Sequence, residues 1–185
     1  SGGMHYTSVE NIHKVIGPLF LDELTDELHK IEGLKSAKER NAKLNEFTIK
    51  LSQIKIIDPA CGSGNFLTES YICLRRLENR SLLSMSDGNR SLDMEDVIKV
   101  SIDQFYGIEI NDFAVEVAKT AIWIAEDQLM EETSKIKDVN TCILPLKNND
   151  NIVCENALQY NWKELLPANE CDYIIGNPPF VGARN

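Results

Sequence analysis

Long apolar runs are missing from this sequence: no stretch approaches the roughly 20 residues that a membrane-spanning helix needs. The most hydrophobic helical candidate, residues 121–125, is closed in by Lys119, Glu126 and Asp127. No basic segment followed by an apolar one opens the chain, so a secretion signal is not indicated and the cytoplasm is the expected compartment. Patterned cysteines are missing too. The five present (Cys61, Cys73, Cys142, Cys154 and Cys171) are odd in number and scattered, with no C-x-x-C pair and no histidine at metal-ligand spacing. They are expected to be reduced thiols, and no metal is expected. Positive charge is scarce: 19 Lys and Arg against 29 Asp and Glu leave a net charge of −10. A surface that grips nucleic acid is normally a basic patch. Only residues 35–40 and 75–80 form modest basic clusters here, so any such grip must come mostly from regions outside this chain.

What is present is ordinary globular material. The 185 residues, 43% hydrophobic and 26% charged, are enough for one domain with a real core. Thr7-Ser8-Val9-Glu10 has the spacing of a capping box, with Thr7 as cap and Glu10 folding back. Val9, Ile12, Val15 and Ile16 then mark one helical face. Gly17-Pro18 is expected to break or kink that helix, because proline removes a donor and clashes with the turn before it. Helical spacing resumes over 19–31, and a charged helix is expected over about 36–51. Residues 54–58 form a short apolar run ending at a turn, the pattern of a buried parallel strand. Helix 65–79, a polar loop over 80–93 and a helix over 94–101 follow. A second strand is expected at 104–110, a strong helix at 113–130, a third strand at 152–154, one helical turn at 162–165 and a fourth strand at 172–176. Strands alternating with helices imply right-handed βαβ units and a mostly parallel α/β sheet, which binds nucleotides at the carboxyl ends of its strands.

Four segments at those strand ends carry chemistry. After the first strand comes Asp58-Pro59-Ala60-Cys61-Gly62-Ser63-Gly64-Asn65-Phe66. Its glycines let backbone N–H groups approach a carboxylate at a helix start, and Asp58 can hold a cationic amine. The spacing is neither G-x-G-x-x-G nor the lysine-containing P-loop, which argues against a dehydrogenase and a triphosphate site. Glu109 ends the second strand, placed to accept hydrogen bonds from a ribose diol. Glu155-Asn156-Ala157-Leu158 follows the third, where an Asn side chain can read an adenine edge. Asn177-Pro178-Pro179-Phe180 follows the fourth. Two prolines fix the backbone and leave carbonyls with no local N–H competitor, Asn177 adds a side-chain carbonyl, and Phe180 offers a flat face. Such a cradle accepts hydrogen bonds from a planar amine and stacks on its ring. Each segment alone is also an ordinary turn; four in order, each closing an expected strand, are harder to assign to chance.

These residues resemble the amino-methyltransferases of class I, specifically the adenine-N6 DNA methyltransferases that use S-adenosylmethionine. The long loop form, followed by Tyr71 and Leu74-Arg75-Arg76-Leu77-Glu78, is most similar to large single-chain restriction–modification and phage-defence enzymes. Gly3-Met4-His5-Tyr6-Thr7-Ser8 resembles the family's N-terminal cofactor motif. The resemblance implies a Rossmann-like methyltransferase fold, with residues 1–53 an N-terminal helical segment and 54–185 the first half of the catalytic domain. It implies that Tyr6 and Thr7 lie against the methionine moiety of S-adenosylmethionine, with Asp58, Ala60, Gly62, Gly64, Asn65 and Phe66 around its amino and carboxylate ends. Glu109 would bind the ribose, Ile110 pack on the cofactor adenine, and Asn156 and Ala157 meet that adenine's edge. Asn177 and Pro178 would accept the target amine's N–H groups, Pro179 stiffen the cradle, and Phe180 stack on the flipped base. The target amine's lone pair is delocalised into its ring, so two acceptors that favour a pyramidal nitrogen are the main chemical aid. Positioning does the rest, without a covalent enzyme intermediate or a metal.

The family's sheet has seven strands and four are expected here. The chain therefore reads as a piece of a longer protein, Ser1 as a cloning remnant, with duplex DNA bound mostly by regions outside it. Methyltransferases of RNA bases or of protein glutamine share the tetrapeptide; Phe180 and the loop form favour DNA adenine. A non-catalytic nucleotide-binding or interaction module is the alternative of a different class.

Overall fold

The computed structural model describes residues 7–85, 98–136 and 149–178. Tyr6, Pro179 and Phe180 lie outside them, as do most of the helix expected at 94–101 and the outer part of the polar loop.

The first helix, α1 (Val9–Ile16), is capped by Ser8, whose hydroxyl accepts from the Asn11 amide at 3.4 Å. The cap is thus one residue later than expected, and Glu10 pairs with Lys14 at 2.8 Å instead of folding back. Thr7 is committed elsewhere, to Asn177. Gly17-Pro18 does not interrupt the run of helical residues either. Residues Gly17–Leu21 form a π-helical segment, and the Asp22 amide reaches back to the Gly17 carbonyl. Widening the turn by one residue absorbs the donor that Pro18 lacks. Helices α2 (Asp22–Glu32) and α3 (Ala37–Gln53) follow, α3 capped by Ser36 at the Glu39 amide, 3.3 Å.

Among the described residues the sheet holds four parallel strands in the order β3-β2-β1-β4: β1 (Ile56–Asp58), β2 (Phe105–Glu109), β3 (Ile152–Cys154) and β4 (Tyr173–Ile174). Ile57 pairs with Tyr106 on one side and Ile174 on the other, and Glu109 pairs with Cys154. The alternation of side chains splits the core in two. Ile56 and Phe105 join the larger cluster with Leu67, Leu74, Ile122 and the buried faces of α1–α3. Ile57, Tyr106 and Ile108 face the other way, onto Leu166 and the partly buried Trp162. Helices α4 (Asn65–Ser84) and α5 (Asp112–Ile136) cover the first face.

Helix α4 runs five residues past its expected end, because composition misleads there. Arg80 and Ser84 look like loop residues, yet the Arg80 Nε and the Ser84 hydroxyl both donate to Glu32 Oε1, at 2.8 and 3.1 Å, and Leu82 is buried. In the other direction, residues 98–101 are irregular rather than helical. Their amides have better partners: Lys99 and Val100 donate to Glu78 Oε1 at 2.7 and 3.2 Å, and Ser101 to the Gln104 side chain at 2.8 Å.

Glu78 is the centre of a fully buried polar network. Arg75 donates to Glu78 and, at 2.8 Å, to the Thr133 hydroxyl, which bonds to Asn79 at 2.8 Å. The network ties α4 to α5 and to the segment that leads into β2. Burial pushes the Glu78 carboxyl up from its ordinary range, partly offset by Arg75 and the two amides. Glu78→Ala would strand Arg75 in the interior and is expected to destabilise the chain by about 3–5 kcal/mol. Urea unfolding checks this; a loss below about 1 kcal/mol would show that the network is dispensable.

Candidate active site

All four strands are parallel, so their carboxyl ends share one edge of the molecule. From β1 the chain builds outward through β2 and β3, then returns to place β4 on the other side of β1. The crevice at such a reversal is where open α/β sheets bind ligands. Asp58 and Glu109 end the two inner strands, and Gly176-Asn177-Pro178 leaves β4 beside Asp58.

The loop after β1 is shaped by its glycines. Gly64 has φ 79° and caps α4 in the left-handed region; a Cβ there would stand 2.9 Å from Ala118 Cβ on α5. Only glycine lets α4 start so close to α5. Gly176, which the sequence did not single out, has a similar duty. A Cβ on it would lie 2.5 Å from Asp58 Oδ1, so the β4 corner can touch the β1 corner only without a side chain. Its signal was available: a glycine immediately before Asn177, on a strand neighbouring Asp58.

Several expected donors are spent inside the protein. The Ala60 amide donates to Asp58 Oδ1 at 3.0 Å, the Cys61 amide to the Ile108 carbonyl at 3.1 Å and the Gly64 amide to the Cys61 carbonyl at 2.8 Å. Gly62, expected to offer its amide to a ligand carboxylate, donates it to Glu109 Oε2 at 2.9 Å. The other Glu109 oxygen accepts from the Asn111 amide at 2.9 Å. Glu109 therefore locks the loop to the end of β2. Its two oxygens have four lone-pair sites and two are used, so a diol can still be accepted.

Asp58 is 1% exposed, and no cation among the described residues pairs with it. Burial pushes its carboxyl up to about 7, against the Ala60 amide, and the nearby Glu109 charge adds to the rise. A buried carboxylate in want of a positive partner, beside a glycine loop, fits an ammonium-bearing ligand.

The β4 corner is held from the N-terminal segment. Asn177 Nδ2 donates to the Thr7 hydroxyl at 3.4 Å, which turns the amide oxygen away from Thr7, and Asn177 and Pro178 are both exposed. Asn65 opens α4, but Phe66 is buried in the main core rather than facing the crevice. Ile110 lies exposed just past β2. The Asn156 side-chain oxygen accepts from the Leu158 amide at 3.0 Å, and the Ala157 carbonyl accepts from the Trp162 indole at 2.8 Å. Asn156 thus shapes the turn after β3.

The raised Asp58 carboxyl sets a pH dependence. Between its ordinary value near 3.8 and about 7 the folded chain holds a proton that the unfolded chain has released, so stability falls as pH rises through that window. Asp58→Asn is expected to remove the fall. Its stability relative to the native chain should grow by a few kcal/mol from pH 4 to pH 8, followed by urea unfolding. A pH-independent difference would contradict the burial of an unpartnered charge.

Residues 34–185 match the protein family described as MmeI, DNA-methyltransferase domain. DNA methyltransferase A of Bacillus subtilis (strain 168) is 42% identical over 187 residues, covering 98% of this chain and 20% of that protein. Adenine-specific methyltransferase PglX of Streptomyces coelicolor is 22% identical over 159 residues, 72% of this chain and 13% of its own length. The solved structure of type IIL restriction-modification enzyme MmeI in complex with DNA aligns with TM-score 0.87 and 42% identity, over 96% of this chain and 23% of that one. The chain thus spans between an eighth and a quarter of the length of these relatives. With its glycine-loop corner and its Asn-Pro corner side by side on a four-stranded Rossmann-like sheet, the chain belongs to the MmeI DNA-methyltransferase domain family.

Proposed function

We propose that the chain forms the S-adenosylmethionine-binding part of a restriction–modification DNA methyltransferase that modifies adenine at N6. The observation that carries this reading is the contact between the two corners. Asp58, suited to a donor's ammonium, touches Gly176, the residue before the Asn177-Pro178 cradle suited to an acceptor's amine. DNA as the substrate is supported by the MmeI–DNA complex, and adenine by the name of the PglX relative.

S-adenosylmethionine supplies an electrophilic sulfonium methyl when bound. Asp58 would hold its ammonium, Glu109 its ribose hydroxyls, and Ile110 with Asn156 and Ala157 the rim of its adenine. The Asn177 side-chain oxygen and the Pro178 carbonyl would accept the two N–H bonds of the target amine. That arrangement favours a pyramidal nitrogen with its lone pair directed at the donor. The bond from Asn177 Nδ2 to the Thr7 hydroxyl leaves the amide oxygen free for the substrate. Catalysis then consists of orientation and of preplaced acceptors, with no covalent intermediate on the protein. The net charge of −10 assigns most phosphate contacts to other regions of the longer protein.

In calorimetry the chain is expected to bind S-adenosylmethionine weakly and NAD not at all, and Asp58→Ala to weaken that binding by roughly tenfold or more. Alone it should transfer no labelled methyl to duplex DNA. The full-length protein should leave N6-methyladenine in DNA digested to nucleosides, and Asn177→Ala in it should cut the rate by about 10²-fold or more. Label recovered in RNA or in protein glutamine, with none in DNA, would overturn the substrate assignment.

A further inference from the structure

Histidine spacing in the sequence gives no hint of a metal site, yet the fold assembles one set of ligands outside the crevice residues. Glu69 and Cys73 stand one turn apart on α4 and both face α1. There His13 Nε2 lies 2.7 Å from Glu69 Oε1 and 3.8 Å from Cys73 Sγ, and the sulfur lies 3.8 Å from the same carboxylate oxygen. An imidazole, a carboxylate and a thiol therefore converge within 4.8 Å, the one such group found among the described residues.

We propose that His13, Glu69 and Cys73 bind a single divalent ion of the zinc class, which pins α1 to α4. The spacing admits it. One point can stand about 2.0–2.1 Å from the imidazole nitrogen and the carboxylate oxygen and about 2.3 Å from the sulfur. With the ligands this far apart, the three angles at that point sum to less than a full circle. The ion then rides above their plane and keeps a fourth, outward position for water. The donor set is mixed nitrogen, oxygen and sulfur, which suits tetrahedral zinc better than the hard, oxygen-seeking magnesium or calcium. Charge balances as well: one thiolate and one carboxylate neutralise a divalent ion, with the imidazole neutral. Access is open, because the His13 side chain is 43% exposed while Glu69 is only 13% exposed.

Without an ion the thiol is held in its neutral form: burial, then the Glu69 charge, push Cys73 up to about 12 against the opposing pull of Arg76. Binding exchanges that S–H proton for the metal, so at least one proton leaves per ion bound, with a second wherever His13 starts as the protonated partner of Glu69. The consequence for the fold is specific. Helix α1 begins just after Thr7, which holds Asn177, and α4 begins at the glycine loop. An ion between them would fix the two corners of the crevice relative to each other, without entering the methyl transfer.

The test uses the chelator-treated chain with zinc and cobalt alone. Calorimetry should give one zinc per chain with release of at least one proton. Cobalt should add a thiolate-to-metal charge-transfer band in the near ultraviolet. His13→Ala, at a 43% exposed side chain, and Cys73→Ser should each weaken zinc binding by tenfold or more, and Cys73→Ser should abolish the band. Cys171→Ser should change neither. No zinc uptake at micromolar protein, or uptake that survives both His13→Ala and Cys73→Ser, would overturn the site and leave His13–Glu69 as a plain ion pair.

Discussion

Everything at the crevice rests on one close approach, that of the β4 backbone to the Asp58 carboxylate. Strand β4 pairs with β1 in parallel, and the Ile175 amide donates to the Ile57 carbonyl at 2.9 Å. Carrying the chain one residue further brings Gly176 so near Asp58 that no side chain fits between them. That contact converts two separate turns into one site. It also buries a carboxylate with a single amide for company, a cost that the fold tolerates where function is to be gained. Glu109 then reaches across from β2 to accept from the Gly62 amide, so the loop, both inner strands and the β4 corner are joined into one unit by direct contacts.

The surrounding architecture serves that unit in two ways. Helices α4 and α5 crowd behind the loop, which is why α4 must start from a left-handed glycine against Ala118. The N-terminal helices belong to the same large core as α4 and the sheet, and they bring Thr7 to Asn177. The polar network around Arg75 and Glu78 anchors the return into β2 at the far end from the crevice. The opposite face of the sheet is covered more thinly, by Leu166 and its partly buried neighbours, and Ile174 is 60% exposed there.

Much of this was legible in the sequence. Apolar runs ending in Asp58 and Glu109 read directly as strands, since buried parallel strands need little more than a few β-formers and a polar stop. Strands β3 and β4, just before Asn156 and Asn177, were legible for the same reason. Local rules failed where a distant partner intervened. Thr7 looked like a cap, but a residue 170 positions away claims its hydroxyl. Arg80 and Ser84 looked like loop, but Glu32 holds both in helix. Gly62 looked like a ligand donor, but Glu109 occupies it. The His13, Glu69 and Cys73 cluster has no sequence signature at all, because 56 residues separate its first two members.

The measurement that bears most directly on the donor corner is a carbon-13 NMR titration of the Asp58 carboxyl, with and without S-adenosylmethionine. In the free chain the carboxyl is expected to titrate near the value of about 7 set by burial, and to fall well into the ordinary carboxylate range once the ammonium is bound. An Asp58 titration that does not move on saturation with S-adenosylmethionine would contradict it.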